Sequence, residues 1–296
     1  MKQAFIFPGQ GSQFSGMGRE LYESNQIARR MFEDANDILG FRISDIMFAG
    51  SQEELKQTKT TQPAVFLHSV IAYCTIIGVK PDMVAGHSLG EFSGLVANGT
   101  LGFENALRLV VIRANAMQKA CELQPSTMAA IIGMADEQVE NICQRIQIET
   151  DEVVVPANYN CPGQLIISGS VEGVKIACIR MKEGGAKRTM ILEVGGAFHS
   201  PYMEPARDEL EAAIEQVKFL IPSCPIIQNI TGEAVNSPSE IKINLVNQMV
   251  NPVKWGKSIQ TMIRDGAGIF TEIGPGRVLQ GLVQKIDRTV AVSGIS

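Results

Sequence analysis

The sequence predicts an α/β fold whose mostly parallel sheet is interrupted by a smaller inserted module. Strand-like apolar segments alternate with helical segments over the first 126 residues, an order typical of a parallel sheet. Between residues 127 and 194 the order changes to βαββαβ, the split-βαβ arrangement of a ferredoxin-like module. The alternation then resumes, so we expect a discontinuous large domain (1–126 and 195–296) and a small subdomain (127–194).

The first part of the chain opens with a buried strand, Ala4–Phe7, and a glycine-rich loop over 8–18. Helical spacing of apolar residues predicts one long helix over 19–39 that ends at a glycine. A second helix is predicted from Thr61 to Ile77, with Pro63 in its first turn, where the missing N–H of proline costs little. The other elements predicted here are the strand before Ser88, the helix after it, and a helix over 103–122.

Short apolar runs separated by amphipathic stretches predict the inserted module and the return to the large domain. The module is expected to contain strand 128–134, helix 136–147, strands 153–157 and 165–168, helix 171–183 and strand 188–192. The expected elements after it are a helix from Tyr202, strand 225–228, helices near 239–249 and 255–264, strand 269–273, a helix after Gly276 and strand 289–292.

Composition and charge exclude several classes of protein. The 296 residues, 45% apolar and 19% charged, suit a globular protein with a large core. A net charge of −5 argues against nucleic-acid binding and gives no reason to expect a membrane surface. The six cysteines are scattered, without a CxxC or a His/Cys cluster, so we expect reduced thiols and no metal site. With neither a signal-peptide-like start nor an apolar run of membrane-spanning length, the sequence predicts a cytoplasmic protein.

Ser88 lies in a GxSxG segment, Gly86–Gly90, between a predicted strand and a predicted helix. A glycine on each side allows a sharp strand-to-helix turn that would clash with a Cβ atom. Such an elbow exposes the serine hydroxyl at a helix N-terminus, where the backbone N–H of Leu89 can stabilise an oxyanion. We therefore interpret Ser88 as a nucleophile, although GxSxG also occurs by chance in glycine-rich chains.

A serine nucleophile needs a base, and the chain has only three histidines. His87 adjoins Ser88 and is expected to pack against the turn, while His68 lies in an apolar helix and is expected to belong to the core. His199 lies in the glycine-rich segment 195–201, where the chain returns to the large domain. By elimination, His199 is the predicted general base.

Two glycine-rich turns invite a phosphate-binding interpretation. The loop over 7–13 follows a strand but lacks the third glycine of a dinucleotide fingerprint and the GK[ST] of a P-loop. It is better interpreted as bringing a second backbone N–H towards the substrate of Ser88. The turn over 273–276 is expected to be structural.

Arg113 shares a helix face with apolar residues such as Leu109 and Met117. An arginine in that setting either extends to the surface or is held in place for a carboxylate. A guanidinium group can bind a carboxylate through two parallel hydrogen bonds. Spacing alone leaves both interpretations open.

An ordered set of short motifs resembles the malonyl-CoA:acyl carrier protein transacylases, the acyltransferase family of fatty-acid and polyketide synthesis. The motifs are FPGQGSQ (7–13), TQPA (61–64), GHSLGE (86–91), RxxxMQ (113–118), NYNCPGQ (158–164), GAFHS (196–200), NPVKW (251–255) and EIGPG (272–276). Together they span nearly the whole chain. The resemblance implies a hydrolase-like α/β core with a ferredoxin-like insertion, which agrees with the predicted order of elements.

The resemblance also implies roles for particular residues. Ser88 would be acylated, with His199 as its base and the carbonyl of Gln248 orienting the imidazole. Gln10 and Leu89 would supply the N–H groups of the oxyanion hole. The substrate-binding residues that it implies are Arg113 for the malonyl carboxylate, Phe198 to disfavour a branched methylmalonyl group, and Met117, Asn158 and Asn160 near the substrate.

The expected reaction is malonyl transfer from malonyl-CoA to acyl carrier protein through a malonyl-serine ester, for fatty-acid synthesis. The alternatives are a polyketide-pathway acyltransferase, a serine hydrolase that uses Ser88 and His199, and a non-catalytic binding subunit.

No cofactor and no metal are expected, because the coenzyme A thioester is itself a substrate. The expected partners are malonyl-CoA and acyl carrier protein, without nucleic acid or membrane, and a monomer is the expected state. The candidate basic residues for docking an acidic carrier protein are Lys175, Lys182, Lys187 and Arg188.

Overall fold

Ten strands and thirteen α-helices form the part of the chain that the structure describes, a computed structural model of residues 1–76 and 78–296. The strands are β1 (Lys2–Phe7), β2 (Met83–Gly86), β3 (Ser126–Ile132), β4 (Val154–Cys161), β5 (Gln164–Ser170), β6 (Arg188–Ile191), β7 (Ile226–Gln228), β8 (Glu233–Val235), β9 (Ala267–Ile273) and β10 (Ala291–Ile295). The helices are α1 (Arg19–Ser24), α2 (Gln26–Leu39), α3 (Ile43–Ala49), α4 (Gln52–Lys56), α5 (Thr58–Thr75), α6 (Gly90–Ala97), α7 (Phe103–Leu123), α8 (Asp136–Thr150), α9 (Val171–Glu183), α10 (Glu204–Glu215), α11 (Pro238–Asn247), α12 (Trp255–Arg264) and α13 (Val278–Ile286).

Six strands form the main sheet, in the order β10-β9-β1-β2-β7-β8. The first five are parallel to their neighbours, and the edge strand β8 runs antiparallel to β7. The register pairs Phe7 with Gly86, so the loop after β1 and the turn after β2 leave the sheet at the same edge. The mostly parallel sheet predicted from the sequence is confirmed.

Helices cover both faces of the main sheet, as a parallel sheet requires. Phe5 and Phe7 of β1 belong to the larger core, which includes buried residues of α2, α5, α7 and α10. Ala4 and Ile6 belong to a second core with residues of α12 and α13. Since successive side chains of a strand point to opposite faces, burial on both sides explains why β1 is apolar without alternation.

The remaining four strands form an antiparallel sheet in the order β4-β5-β3-β6. Helices α8 and α9 pack on one face and bury Ala129 and Ile167. Met128 and Ile166 belong instead to the core of the main sheet. The ferredoxin-like order predicted for this region is confirmed, while the domain boundaries after residues 126 and 194 stay a prediction.

Two helix predictions were wrong in detail. The helix expected over 19–39 is broken at Asn25, whose extended backbone ends α1 and whose side chain accepts hydrogen bonds from the first N–H groups of α2. Such an asparagine cap competes with continuation of the helix. Helix α5 begins at Thr58, so Pro63 lies inside it and not in its first turn. The predicted end at Ile77 lies outside the described residues.

The sequence prediction missed α3, α4 and β8, which have seven, five and three residues. Such short elements owe their stability to packing more than to their own periodicity. One local signal was available for α4: Ser51 and Glu54 form a reciprocal capping box at its start.

Candidate active site

Ser88 lies at a strained turn between β2 and α6. Its φ angle is 51°, a left-handed conformation that costs free energy for a residue with a Cβ atom. A Cβ atom on Gly86 would overlap the backbone of Gly90, and one on Gly90 would overlap the carbonyl oxygen of Phe7. Both glycines of GxSxG are therefore needed for the close packing of the elbow.

The imidazole of His199 lies beside the hydroxyl of Ser88. The distance from Ser88 Oγ to His199 Nε2 is 2.8 Å, and His199 Nδ1 lies 2.8 Å from the backbone oxygen of Gln248. Because a carbonyl oxygen can only accept, the Nδ1 of a neutral imidazole carries the hydrogen and Nε2 is free to accept from Ser88. Burial, assisted by the positive charge of Arg113, lowers the pKa of His199 to about 3, so the imidazole is neutral at pH 7.

The third position of a hydrolase triad is thus occupied by a backbone carbonyl. A typical α/β-hydrolase would place an Asp or Glu at this position, from between the serine and the histidine in sequence. Two acidic residues of that interval, Asp136 and Asp151, both lie elsewhere. Asp136 lines a separate groove, and Asp151 ends α8 in the small sheet's layer of helices. In the described part of the chain, the hydrogen-bond partner of His199 Nδ1 is an uncharged oxygen.

Arg113 is buried, with 1% of its surface exposed, so the interpretation in which it extends to solvent is wrong. Its Nη1 donates to Gln62 Oε1 at 2.7 Å, and its Nη2 donates to Ser88 Oγ at 3.0 Å and to Gln248 Oε1 at 3.2 Å. Burial lowers the pKa of Arg113 to about 10, while the charge of Glu91 opposes that shift. The guanidinium therefore remains a cation at pH 7, and among the described residues it has no carboxylate within ion-pair distance.

One cavity brings together nearly all the residues that the sequence singled out. Its lining includes Ser88, His199, Arg113, Gln10, Leu89, Met117, Phe198, Asn158 and Asn160. Gln248 lies behind this lining, fully buried, and reaches the site through His199 and Arg113. The backbone N–H groups of Gln10 and Leu89 donate to no protein acceptor in the described residues, which leaves both available to a bound oxygen.

His87 contributes to the wall of the cavity and not to proton transfer at Ser88. Its Nε2 lies 2.9 Å from Asn160 Oδ1, and its ring lies 5.5 Å from that of Trp255. Burial lowers its pKa, so it too is neutral at pH 7. The contact with Asn160 joins the elbow to β4 of the small sheet, and the contact with Trp255 joins it to α12.

Sequence reasoning missed Asn229, which holds the elbow from below. Asn229 Oδ1 accepts from the backbone N–H of Ser88 at 2.7 Å, and its Nδ2 donates to the carbonyl of Gly86 at 2.7 Å. Gln248 Nε2 adds a bond to the carbonyl of Ser88 at 3.1 Å. The available signal was a polar residue directly after predicted strand 225–228, since polar groups at the carboxyl ends of parallel strands tend to line sites.

Gln62 was also missed as a site residue. Its Oε1 accepts from Arg113, and its Nε2 lies 3.2 Å from the sulfur of Met117. Both ends of the amide are therefore used to fix two residues of the cavity. The signal was a buried polar residue in the apolar helix α5.

The described ranges, 1–76 and 78–296, contain neither a cluster of metal ligands nor a membrane-spanning helix. No group of three or more His, Cys, Asp or Glu side chains there could hold a metal ion. None of the helices described is both long and apolar enough to span a membrane.

A model of the acyl transferase domain matches residues 4–294. The chain belongs to the acyl transferase family. A malonyl CoA-acyl carrier protein transacylase from Bacillus subtilis is 42% identical over 297 residues, which cover 99% of this chain and 93% of that one. A transacylase of the same name from Staphylococcus aureus is 37% identical over 294 residues, with coverage of 99% and 95%. The resemblance found in the sequence is confirmed.

Solved structures of acyl transferases have the same fold. An acyl-carrier-protein S-malonyltransferase from Burkholderia pseudomallei aligns with a TM-score of 0.95 at 38% identity, covering 100% of this chain and 96% of that chain. A malonyl-transacylase in complex with a type II polyketide synthase acyl-carrier protein aligns with a TM-score of 0.94 at 37% identity, with coverage of 99% and 95%.

Proposed function

We propose that this acyl transferase moves the malonyl group of malonyl-CoA to the phosphopantetheine thiol of acyl carrier protein, through a malonyl-Ser88 ester. The observation that carries the proposal is the position of Arg113. A buried guanidinium without a paired carboxylate donates to the hydroxyl that contacts His199. An acyl group that ends in a carboxylate would place an anion in direct contact with that cation while its thioester lies at Ser88. The relatives named as malonyl transacylases support the same substrate.

In the first half-reaction, Ser88 Oγ attacks the thioester carbonyl carbon and its proton passes to His199 Nε2. The N–H groups of Gln10 and Leu89 stabilise the negative charge that develops on the carbonyl oxygen. The carbon–sulfur bond then breaks, and His199 returns the proton to the departing coenzyme A thiolate. The Gln248 carbonyl keeps the imidazole oriented throughout.

In the second half-reaction, the carrier protein's thiol gives its proton to His199 and attacks the malonyl ester. The ester bond to Ser88 breaks, and His199 returns the proton to the serine oxygen. No net proton and no oxidant or reductant is needed over the cycle. We therefore propose that the enzyme uses no cofactor. From its sequence, we also propose that it acts in the cytoplasm.

Arg113 binds the malonyl carboxylate and so offsets the cost of burying that charge. Phe198 narrows the cavity near the acyl group, which disfavours a branched methylmalonyl group. Met117, Asn158 and Asn160 complete the wall around the substrate. The product supplies fatty-acid synthesis, with polyketide synthesis as the alternative.

The test is to expose the protein to malonyl-CoA and measure its intact mass, with and without acyl carrier protein. We expect a malonyl adduct that peptide mapping places on Ser88 and that disappears as malonyl-carrier protein forms. A Ser88→Ala chain is the control for non-specific adducts. Rapid release of free malonate without an acceptor would indicate a hydrolase, and no adduct would indicate a binding subunit. Carrier proteins from fatty-acid and polyketide systems, compared as acceptors, would separate the two pathways.

We propose that the carrier protein docks on the small subdomain (127–194), separate from the large domain (1–126 and 195–296). Four basic residues there are exposed: Lys175, Lys182, Lys187 and Arg188. Strand β6, which begins at Arg188, leads to Leu192 in the wall of the cavity. Reversing the charge of Lys187 and Arg188 should raise the KM for carrier protein and leave acylation by malonyl-CoA unchanged. An unchanged KM would contradict this surface.

A further inference from the structure

Glu91 is a buried carboxyl group beneath the nucleophile elbow that the mechanism above leaves without a role. It lies in the first turn of α6 with 1% of its surface exposed. One carboxyl oxygen accepts from the backbone N–H of Asn229, and the other has no hydrogen-bond partner among the described residues. A buried carboxylate that lacks a partner is costly unless a nearby cation offsets its charge or a proton removes it.

A chain of hydrogen bonds connects Glu91 to Arg113. Arg113 Nη2 donates to Gln248 Oε1 at 3.2 Å, and Gln248 Nε2 donates to Asn229 Oδ1 at 3.3 Å. The backbone N–H of Asn229 then donates to Glu91. The charges of the two residues stabilise each other, since Arg113 favours ionisation of Glu91 and Glu91 favours protonation of Arg113.

The site thus holds one buried cation, and malonyl binding would add a second carboxylate to the one already there. Two carboxylates that share one cation in a low-dielectric site cannot both stay ionised at low cost. We propose that Glu91 is the resident counter-charge of Arg113 and takes up one proton from solvent when the malonyl carboxylate binds. The inference rests on the proposed function, because it requires Arg113 to bind the acyl carboxylate.

The groups around Glu91 limit where that proton can go. The charged group that acts on Glu91 from α7 is Arg113. The side chains of Gln228 and Gln248, which also neighbour Glu91, are uncharged carboxamides. The histidines of the region are His87 and His199 at the site and His68 on α5, and burial lowers the pKa of each. All three are neutral at pH 7, so Glu91 is the group best placed to change its charge.

The burial of Glu91 determines how proton uptake on malonyl binding depends on pH. Burial raises the pKa of Glu91 to about 7 in the free enzyme, against the opposing effects of the Asn229 N–H, then the amides of Gln248 and Gln228, and last the charge of Arg113. A bound malonyl carboxylate raises that pKa further, because it adds negative charge nearby. Proton uptake should therefore be small below pH 6, where Glu91 already carries its proton, and approach about one proton above pH 7.

A Ser88→Ala chain allows binding to be measured without acylation. Calorimetric titration at pH 8, in two buffers with different ionisation enthalpies, gives the protons taken up with malonyl-CoA and, as reference, with acetyl-CoA. We expect malonyl-CoA to take up about one proton more than acetyl-CoA. Adding Glu91→Gln should remove the difference. Glu272→Gln should keep it, since Glu272 is an equally buried carboxyl that caps α13 instead.

Two results would overturn the inference and leave the proposed function intact, and a third would contradict both. Tighter binding of malonyl-CoA without extra proton uptake would leave the function intact and exclude a role for Glu91. If the extra proton is still taken up with malonyl-CoA in the Glu91→Gln chain, the proton belongs to another group, and His199 is the first to consider. Equal affinity for malonyl-CoA and acetyl-CoA would contradict the interaction of Arg113 with the malonyl carboxylate, on which both this inference and the proposed function rest.

A second measurement does not depend on the folding of the Glu91 variant. In the unaltered enzyme, the KM for malonyl-CoA should rise about fivefold from pH 7 to pH 8, because Glu91 must regain its proton, while the KM for acetyl-CoA stays constant. A parallel change for both substrates would count against the inference.

Discussion

The two sheets contribute to the cavity in different ways. The main sheet and its helices hold the proposed reactive groups, Ser88, His199 and Arg113, within hydrogen-bond distance of one another. The small antiparallel sheet supplies walls, with apolar side chains such as Met128 and Ile166 and the amides of β4. Chemistry and shape are therefore carried by different parts of the chain.

The physical cause of this difference is the geometry of the sheets. Loops that follow parallel strands converge at one edge, so Gln10 after β1, Ser88 after β2 and Asn229 after β7 meet there. The small sheet instead turns one face to the cavity. Changes on the main-sheet side should therefore abolish the reaction, while changes on the small-sheet side should alter which acyl groups fit.

The largest effect is expected from His199→Ala. Loss of the general base should slow acylation of Ser88 by malonyl-CoA about 10²- to 10⁴-fold, measured as the rate of adduct formation. His68→Leu is the control, because His68 is buried in α5 away from the cavity. An acylation rate within threefold of the unaltered chain for His199→Ala would remove His199 from the mechanism.

The next effect is expected from Arg113→Ala. Loss of a buried partner for a carboxylate costs about 3–4 kcal/mol, which corresponds to a preference for malonyl-CoA over acetyl-CoA reduced about a hundred- to a thousandfold. The measurement is kcat/KM with each substrate. Arg108→Ala on the same helix is the control, since Arg108 is exposed and paired with Glu104. Unchanged selectivity in Arg113→Ala would remove the proposed interaction with the carboxylate.

A smaller effect is expected on the small-sheet side. Ile166→Ala enlarges the cavity by a few methyl groups, so the ratio of methylmalonyl to malonyl transfer should rise about tenfold. The kcat for malonyl should stay within about threefold, because no reacting group is touched. Ile179→Ala is the control, an exposed apolar residue of the same region. A large fall in malonyl kcat with Ile166→Ala would contradict the division between chemistry and shape.

The smallest effect is expected from pH. With the pKa of His199 lowered to about 3, the base form persists down to pH 5. Modification of Ser88 by a neutral sulfonyl fluoride should therefore slow less than about twofold between pH 8 and pH 5, whereas a histidine with the ordinary pKa near 6.5 would lose about thirtyfold. A loss of about thirtyfold centred near pH 6.5, present also in the Glu91→Gln chain, would show that burial does not control this imidazole.

Local patterns predicted much of the fold and its site. The alternation of apolar runs indicated the two sheets, and GxSxG with so few histidines indicated Ser88 and His199. Asn25 shows the limit, because an asparagine inside an amphipathic pattern gives no sign by itself that its side chain will cap a new helix. Arg113 shows a second limit of prediction from sequence, since helical spacing alone could not distinguish a surface arginine from a buried one.

The sequence by itself determined the order of the elements, the elbow and the family of the chain, because these depend on neighbours along the chain and on short motifs. Only the tertiary structure decided that Gln62 and Asn229 fix Arg113 and the elbow, and that Glu91 lies under them without a second partner. These contacts join residues from 51 to 143 positions apart. Their existence depends on strand order and side-chain direction, which no local pattern of residues encodes.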